Sequence, residues 1–401
     1  MKACGLIVEY NPFHNGHQYH VDEARKLTKA DCMIAVMSGT FLQRGEPAII
    51  DKFHRTKAAL SSGVDIVIEL PYAYAVQSSR YFAKGAVFSL HALGVSYICF
   101  GSESGEIEPF YEGVVKLEKN RTAYDNIVQT YIKQGLSYPA ASDKAYKQIG
   151  IEEIDLFQPN NILGFSYVRT IVENKLPIQA KTIKRKSSHF HEEEISGKIA
   201  SATSIRKELK KNTITEQLSE TIPKPTKEQL KVYKEKSGLW HDWEAYFPLL
   251  YYRIITMTKD ELKNIHGVDE GIEARIKNAI QKANGFAELI NLVKTKRYTQ
   301  VRLQRMFVHI LTNTTKKQVE PFLQTNKVPY VRLLGMTDQG RMYLNKIKKA
   351  LETPMIVNLT KQYDEIYLDE RALQTYYAIL PTDKRNELRK QEFRLPIIHS
   401  S

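Results

Sequence analysis

The first half of the chain alternates short, mainly apolar runs with longer stretches in which apolar residues recur every three or four positions. The runs are Leu6-Ile7-Val8, Cys32–Met37, Asp65–Leu70 closed by Pro71, and Val95–Phe100. Near-continuous apolar runs, as opposed to strict alternation, mark strands buried on both faces, the condition of a parallel sheet. Gly16–Leu27, Asp51–Ser62 and Ser78–Leu93 carry the helical period between them, with Gly63 and Gly94 as stops. This order predicts an α/β domain with a Rossmann-like, doubly wound parallel sheet. Ligands of such sheets lie beyond the carboxyl ends of the strands. The loops after Val8, Met37, Leu70 and Phe100 are therefore the places to look for chemistry.

The pattern continues with helices over 107–118 and 122–134, and a helix Ile162–Glu173 capped by Asn160-Asn161. A strand Ile178–Ile183 and a short helix Ser201–Leu209 follow. Residues 210–236 are rich in Lys, Thr and Glu, hold Pro223 and Pro225, and read as a linker or exposed crossover. Residues 240–320 read as helical. A strand near Val328–Leu334 and helices near 338–351 and 363–379 come last. The expected organisation is an α/β domain over 1–210, a mostly helical basic region over 211–325 and a small mixed α/β module over 326–401.

Composition narrows this. No apolar run approaches the roughly 20 residues of a membrane helix. The cysteines are Cys4, Cys32 and Cys99, an odd and sparse set without a CxxC pair. That argues against a disulfide framework and a cysteine zinc site, and for a reducing cytoplasm. The net charge is +13, and it is unevenly placed. Residues 1–180 hold 18 Lys and Arg against 19 Asp and Glu, whereas residues 181–401 hold 40 against 26. All the excess positive charge is in the second half, which suggests a polyanion partner, nucleic acid above all.

The loop after the first strand holds the densest chemistry: Glu9-Tyr10-Asn11-Pro12-Phe13-His14-Asn15-Gly16-His17, with Gln18, Tyr19 and His20 behind it. A helix that starts here offers unpaired N–H groups and a partial positive charge to phosphate. Gly16 permits close approach. His14, His17 and His20 recur at three-residue spacing on one helix face, where imidazoles can donate to phosphate oxygens and stabilise charge on a transferring phosphoryl group. Much later, Ala200-Ser201-Ala202-Thr203-Ser204-Ile205-Arg206 sets hydroxyls and N–H groups at another helix start, with Arg206 as a fixed cation. The plainer reading of that segment is a serine N-cap.

Strand, loop, then His-x-Gly-His resembles the signature of the nucleotidyltransferase superfamily, and the segment ending in Ile205-Arg206 resembles its second motif. Longer stretches narrow the likeness. They are Leu6 to His17, Ser38-Gly39-Thr40-Phe41-Leu42-Gln43-Arg44-Gly45-Glu46-Pro47-Ala48, Asp51 to Thr56, Gly63 to Pro71, Phe100-Gly101-Ser102-Glu103 and Pro159 to Gly164. Together these resemble the bacterial tRNA(Met) cytidine acetate ligase family, apart from Thr40 where the pattern has Asn. The resemblance implies a nucleotidyltransferase-type domain. It also implies that acetate is activated with ATP and Mg2+ as acetyl-adenylate, and that the acetyl group goes to N4 of the wobble cytidine of elongator tRNA(Met). On that basis Ile7, Val8 and the segment Glu9 to His20 would hold ATP, with His14 and His17 as catalytic residues near the phosphates. Gly101 would allow close approach of the nucleotide, and Asn160 or Asn161 would bond it. Arg185 and Lys186 would clamp phosphates, with Ser201, Thr203 and Arg206. No resident metal site is expected, although one of the acids near the cleft, Glu9, Asp22, Glu46, Asp51 or Glu69, could help place the Mg2+ of ATP. Lys294, Lys296, Arg297, Arg302 and Arg305 are the candidate RNA contacts, with Tyr298 as a stacking residue. The competing readings are an adenylyltransferase for a small phosphorylated metabolite, which would not need a second basic half, and an RNA-binding protein that keeps an ATP pocket without turnover. No membrane is implied, and no protein partner can be inferred.

Overall fold

The computed structural model describes residues 1–185, 199–211, 214–269, 271–359 and 364–400. Five strands form the predicted parallel sheet: β1 (Ala3–Val8), β2 (Cys32–Ser38), β3 (Ile66–Leu70), β4 (Tyr97–Ser102) and β5 (Gln179–Lys184). Their order is β5-β4-β1-β2-β3. Every residue of β2 and β3 is buried, as their continuous apolar runs require. One face is covered by the helices Asn15–Thr28 and Lys52–Leu60, through Val21, Ala24, Phe53 and Leu60. The other is covered by Ser79–Ala92, Glu108–Lys119 and Pro159–Glu173, through Phe82, Val87, Val114, Phe165 and Val168. The connections reverse direction between β1 and β4, so the switch point of the sheet lies where the His-x-Gly-His loop leaves β1.

Three differences from the sequence expectation have physical causes. First, the segment expected to be a linker contains the helices Glu216–Thr221 and Lys224–Ser237. Pro223 and Pro225 stand at the entry of the second of these, where a missing N–H costs nothing, and Leu230 and Tyr233 are buried on its inner face. Second, the helix expected to be capped by Asn160-Asn161 begins at Pro159, with Gln158 as N-cap, so both asparagines lie inside its first turn. Third, residues 326–401 do not build a sheet of their own. Their first strand, β6 (Val331–Thr337), pairs antiparallel with β3 and continues the same sheet. β7 (Met355–Ile356) and β8 (Ile397–His399) then pair with β6.

Buried charges cross that union. Lys52 is buried between Glu69 of β3 at 2.7 Å and Glu392 at 2.6 Å, and Arg332 of β6 reaches Glu392 at 3.1 Å. Asp51 accepts from Tyr377 and Gln391, far along the chain. Most of the helices between residues 202 and 311, together with Tyr367–Tyr377, share another core, to which Phe41, Ile49, Ile50 and Tyr72 of the α/β domain also belong.

Candidate active site

The first helix starts at Asn15 and has His14 as its N-cap. The His14 Nδ1 accepts the Gly16 N–H at 3.0 Å, and the His17 Nδ1 accepts the His14 N–H at 3.2 Å. A backbone N–H can only donate, so both Nδ1 atoms are unprotonated and each neutral ring carries its proton on Nε2. The two rings stack at 3.7 Å between centroids. Burial, then the charges of Arg185 and Arg206, pull His14 down to about 3. Burial, then the neighbouring His14 and His20, put His17 well below its ordinary value. At neutral pH both are uncharged N–H donors. No acid stands in the helix's first turn to offset the partial positive charge of its start. His20, one turn on, holds the Cys99 carbonyl of β4 at 3.1 Å.

The loop itself is held from three sides. The Asn11 Oδ1 accepts the Ile49 N–H at 2.8 Å, and the Asn11 carbonyl accepts from Arg206 at 3.0 Å. Tyr10 (at a positive φ of 48°) and Phe13 are buried and pack around His17. The Glu9 carboxylate accepts the Gln43 N–H at 2.8 Å, and burial pushes its carboxyl up. Beneath them Arg55 is fully buried. It donates to the carbonyls of Glu9 at 2.7 Å, Ser38 at 2.9 Å, Ile50 at 3.2 Å, and Gly39. One guanidinium thus fixes the chain leaving β1 to the chain leaving β2.

The structure brings the other sequence candidates to this place. Ile7 and Val8 end β1, and Gly101 lies in β4. A side chain at Gly101 would press on Cγ of Arg185 at 3.0 Å. Arg185 follows β5 directly, is exposed, and sends its charge toward His14, His17 and His20. Asn160 donates to the Glu103 carboxylate at 3.0 Å, and the Asn161 Oδ1 accepts the Glu103 N–H at 3.3 Å. Ser201 accepts the Ser204 N–H at 3.0 Å and so caps its helix (Ala202–Lys211). Arg206, on that helix, bridges Asn11 and Glu46 and lies 3.4 Å from Thr203. Ile199 lies beside Gly16, so the two motifs, nearly 200 residues apart, meet. Asn15 and Gln18 are turned to other tasks, donating to the Glu220 and Ser62 carbonyls. Pro12 is buried and Tyr19 half-buried. Lys186 lies outside the described residues.

In the helical region Lys294, Lys296 and Arg297 are exposed. The latter two line an open groove of about 390 Å³ with Arg275 and Gly135. Tyr298 corrects an expectation. It is buried, its hydroxyl donates to the Asp269 carbonyl, and Arg302 covers its ring at 4.0 Å, so no base can stack on it. Arg302 and Arg305 are half-buried on the helix Gln300–Leu311. Among the described residues no three His, Cys, Asp or Glu side chains are placed to hold a metal ion. None of the described helices is long and apolar enough to cross a membrane.

A parallel sheet with paired histidines and a converging arginine at its switch point is the arrangement of a nucleotidyltransferase. The chain matches the family described as HIGH Nucleotidyl Transferase over residues 1–392. It belongs to that family and, within it, to the tRNA(Met) cytidine acetate ligases. The protein of that name from Oceanobacillus iheyensis is 50% identical over 99% of this chain and 100% of its own. The Bacillus subtilis (strain 168) protein of the same name is 44% identical over 98% and 96%. The crystal structure of apo Thermotoga maritima TmcAL superposes with a TM-score of 0.92 at 32% identity over the full length of both chains. The same protein bound with alpha-thio ATP gives 0.90 at 31%, again over both full lengths.

Proposed function

We infer that this chain is an ATP-dependent tRNA(Met) cytidine acetate ligase. The observation that carries the reading is the pair of neutral, Nε2-protonated histidines at the switch point, faced by Arg206, in a chain that matches such ligases from end to end. The triphosphate of ATP docks at the start of the helix Asn15–Thr28, where N–H groups, the two histidines, Arg185 and Arg206 meet negative charge. An acetate oxygen attacks the α-phosphorus, pyrophosphate leaves, and acetyl-adenylate forms. The cytosine N4 then attacks the acetyl carbonyl, losing a proton as AMP departs. The mixed anhydride is already reactive, so the second step needs positioning and no protein nucleophile. Mg2+ supplies charge neutralisation on the phosphates when bound. No described group of three or more His, Cys, Asp or Glu side chains would hold it, so phosphate oxygens and water would supply most of its ligands. Elongator tRNA(Met) is the acceptor in this reading, met by the basic second half, and the cytoplasm is its setting.

The test is to incubate the protein with ATP, Mg2+, radiolabelled acetate and total bacterial tRNA, then digest the RNA. ATP-dependent label in N4-acetylcytidine, formed without acetyl-CoA, is the expected result. Unlabelled RNA, with pyrophosphate released when phosphorylated metabolites are offered, would instead favour the metabolite adenylyltransferase.

A further inference from the structure

We propose that the Glu9 carboxylate receives the N4 amino group of the target cytosine and takes up the proton that this nitrogen loses as the acetyl group arrives. The proposal rests on the ligase reading above and adds to it a residue for the second step. Its starting point is what each acid near the cleft already does. Asp51 accepts the His54 N–H at 2.8 Å and bonds from Tyr377 and Gln391. Glu69 pairs with Lys52 at 2.7 Å and Glu46 with Arg206 at 3.1 Å, and Asp22 accepts from Gln18 at 3.0 Å. Glu9 is placed differently. Its Oε1 accepts the Gln43 N–H at 2.8 Å, and Gln43 is itself fixed by donating to the Gln77 carbonyl at 2.9 Å. Its Oε2 has no hydrogen bond and no ion pair among the described residues, on a side chain that is only half-buried. A carboxylate anchored at one oxygen and open at the other is a preorganised acceptor.

Position selects what it accepts from. The sheet order β5-β4-β1-β2-β3 puts Gly101 of β4, and Arg185 after β5, to one side of the β1 end, and the helix Asn15–Thr28 packs on β4 and β5. The nucleotide belongs on that side. Glu9 reaches the opposite way, to the loop after β2. That loop also carries Glu46, which holds Arg206, and Gly45, where a Cβ would lie 2.2 Å from the Arg305 backbone nitrogen. It therefore lies against the helix Gln300–Leu311 of the basic region. A base presented from that region meets acetyl-adenylate on the Glu9 side. Cytosine shows an amino group that donates to a carboxylate, whereas uracil shows an acceptor at the same place. In the transfer, the N4 lone pair forms the bond to the acetyl carbon. The bond from that carbon to the adenylate oxygen breaks, and its electron pair leaves with AMP. One N4 hydrogen passes as a proton to Oε2, which later sheds it to water.

The test separates the two half-reactions. Transfer is followed in a single turnover from prepared acetyl-adenylate to RNA, and adenylate formation by acetate-dependent exchange of labelled pyrophosphate into ATP. E9Q keeps an oxygen for the Gln43 N–H. It should lower transfer about 10²–10³-fold more than it lowers exchange, a loss typical of a general base. Binding supplies a second readout. The wild-type protein should hold an anticodon stem-loop with cytidine at the target position about 10-fold more tightly than one with uridine there, and E9Q should lose that preference. A melting transition like the wild type's shows that E9Q folds, and the wild-type preference needs no variant. Equal losses in the two half-reactions, or a loss confined to exchange, would give Glu9 to the nucleotide or its Mg2+ and overturn the proposal. Equal wild-type affinity for the two RNAs would also overturn it. A wild-type protein that exchanges pyrophosphate yet acetylates no RNA would overturn the ligase reading, and the proposal with it.

Discussion

His14 and His17 owe their usefulness to a local economy of hydrogen bonds. Each spends Nδ1 on the backbone of the turn, which fixes the ring and leaves Nε2–H as the group to offer. His17→Ala should lower adenylate formation about 10²–10³-fold, the loss typical of one preorganised donor. Acetate-dependent exchange of labelled pyrophosphate into ATP measures this, and near-normal exchange would remove His17 from the chemistry. A histidine away from the site contributes to acid stability in the same way as the other buried ones. His241 is buried between the Tyr233 and Tyr246 hydroxyls, and burial draws it down to about 3. Below about pH 6.5 the unfolded chain takes up a proton that the folded chain refuses, so stability falls as pH drops toward 3 and is complete above 6.5. The slope from this one group is about 1.4 kcal/mol per pH unit. His241→Gln should make the acid limb of a melting-temperature profile shallower, and an unchanged limb would show that folding leaves this histidine's proton affinity alone. The pairing of His14 and His17 was legible in the sequence because the two are neighbours at three-residue spacing. Arg55 was not, because its partners are carbonyls of loops that only the fold brings together.

At the scale of elements, continuity of apolar residues identified four of the five parallel strands, whereas β5 alternates and is buried only in part. Punctuation was the weaker guide. Pro223 and Pro225 read as chain interruption, yet in the fold they start a helix. The helix Tyr138–Gln148, with Ser137 as its cap and Pro139 in its first turn, was likewise missed. The loop after β2 shows what a motif cannot reveal, namely that its glycine answers to a helix more than 250 residues away. Gly45→Ala would meet that helix's backbone and demand a positive φ from a residue with a Cβ. A loss of about 2 kcal/mol in urea unfolding is expected, with a higher KM for ATP because Gln43 would shift from Glu9. An alanine variant with wild-type stability would mean that the two backbones part easily.

For the molecule as a whole, the sequence divided what the fold unites. The last segment looked self-sufficient because a strand followed by a helix is a complete local pattern, and nothing local discloses that its strand pairs with β3. A chain ended at residue 325 would leave β3 as a bare apolar edge and Lys52 without Glu392. Such a fragment should show no cooperative melting by circular dichroism, and a sharp transition would show that the first 325 residues fold alone.

This architecture also bears on synthesis. Gln391 reaches back 340 positions to Asp51, and Thr337 reaches back 272 to Asp65. The nascent chain must therefore carry an unfinished sheet until β6 emerges, with the loop that ends at Asp51 braced only once Gln391 follows. Contacts so distant in sequence make for slow closure and a long interval in which the open edge can meet other chains. A ribosome that stalls late would release no half-active enzyme, only a client for chaperones.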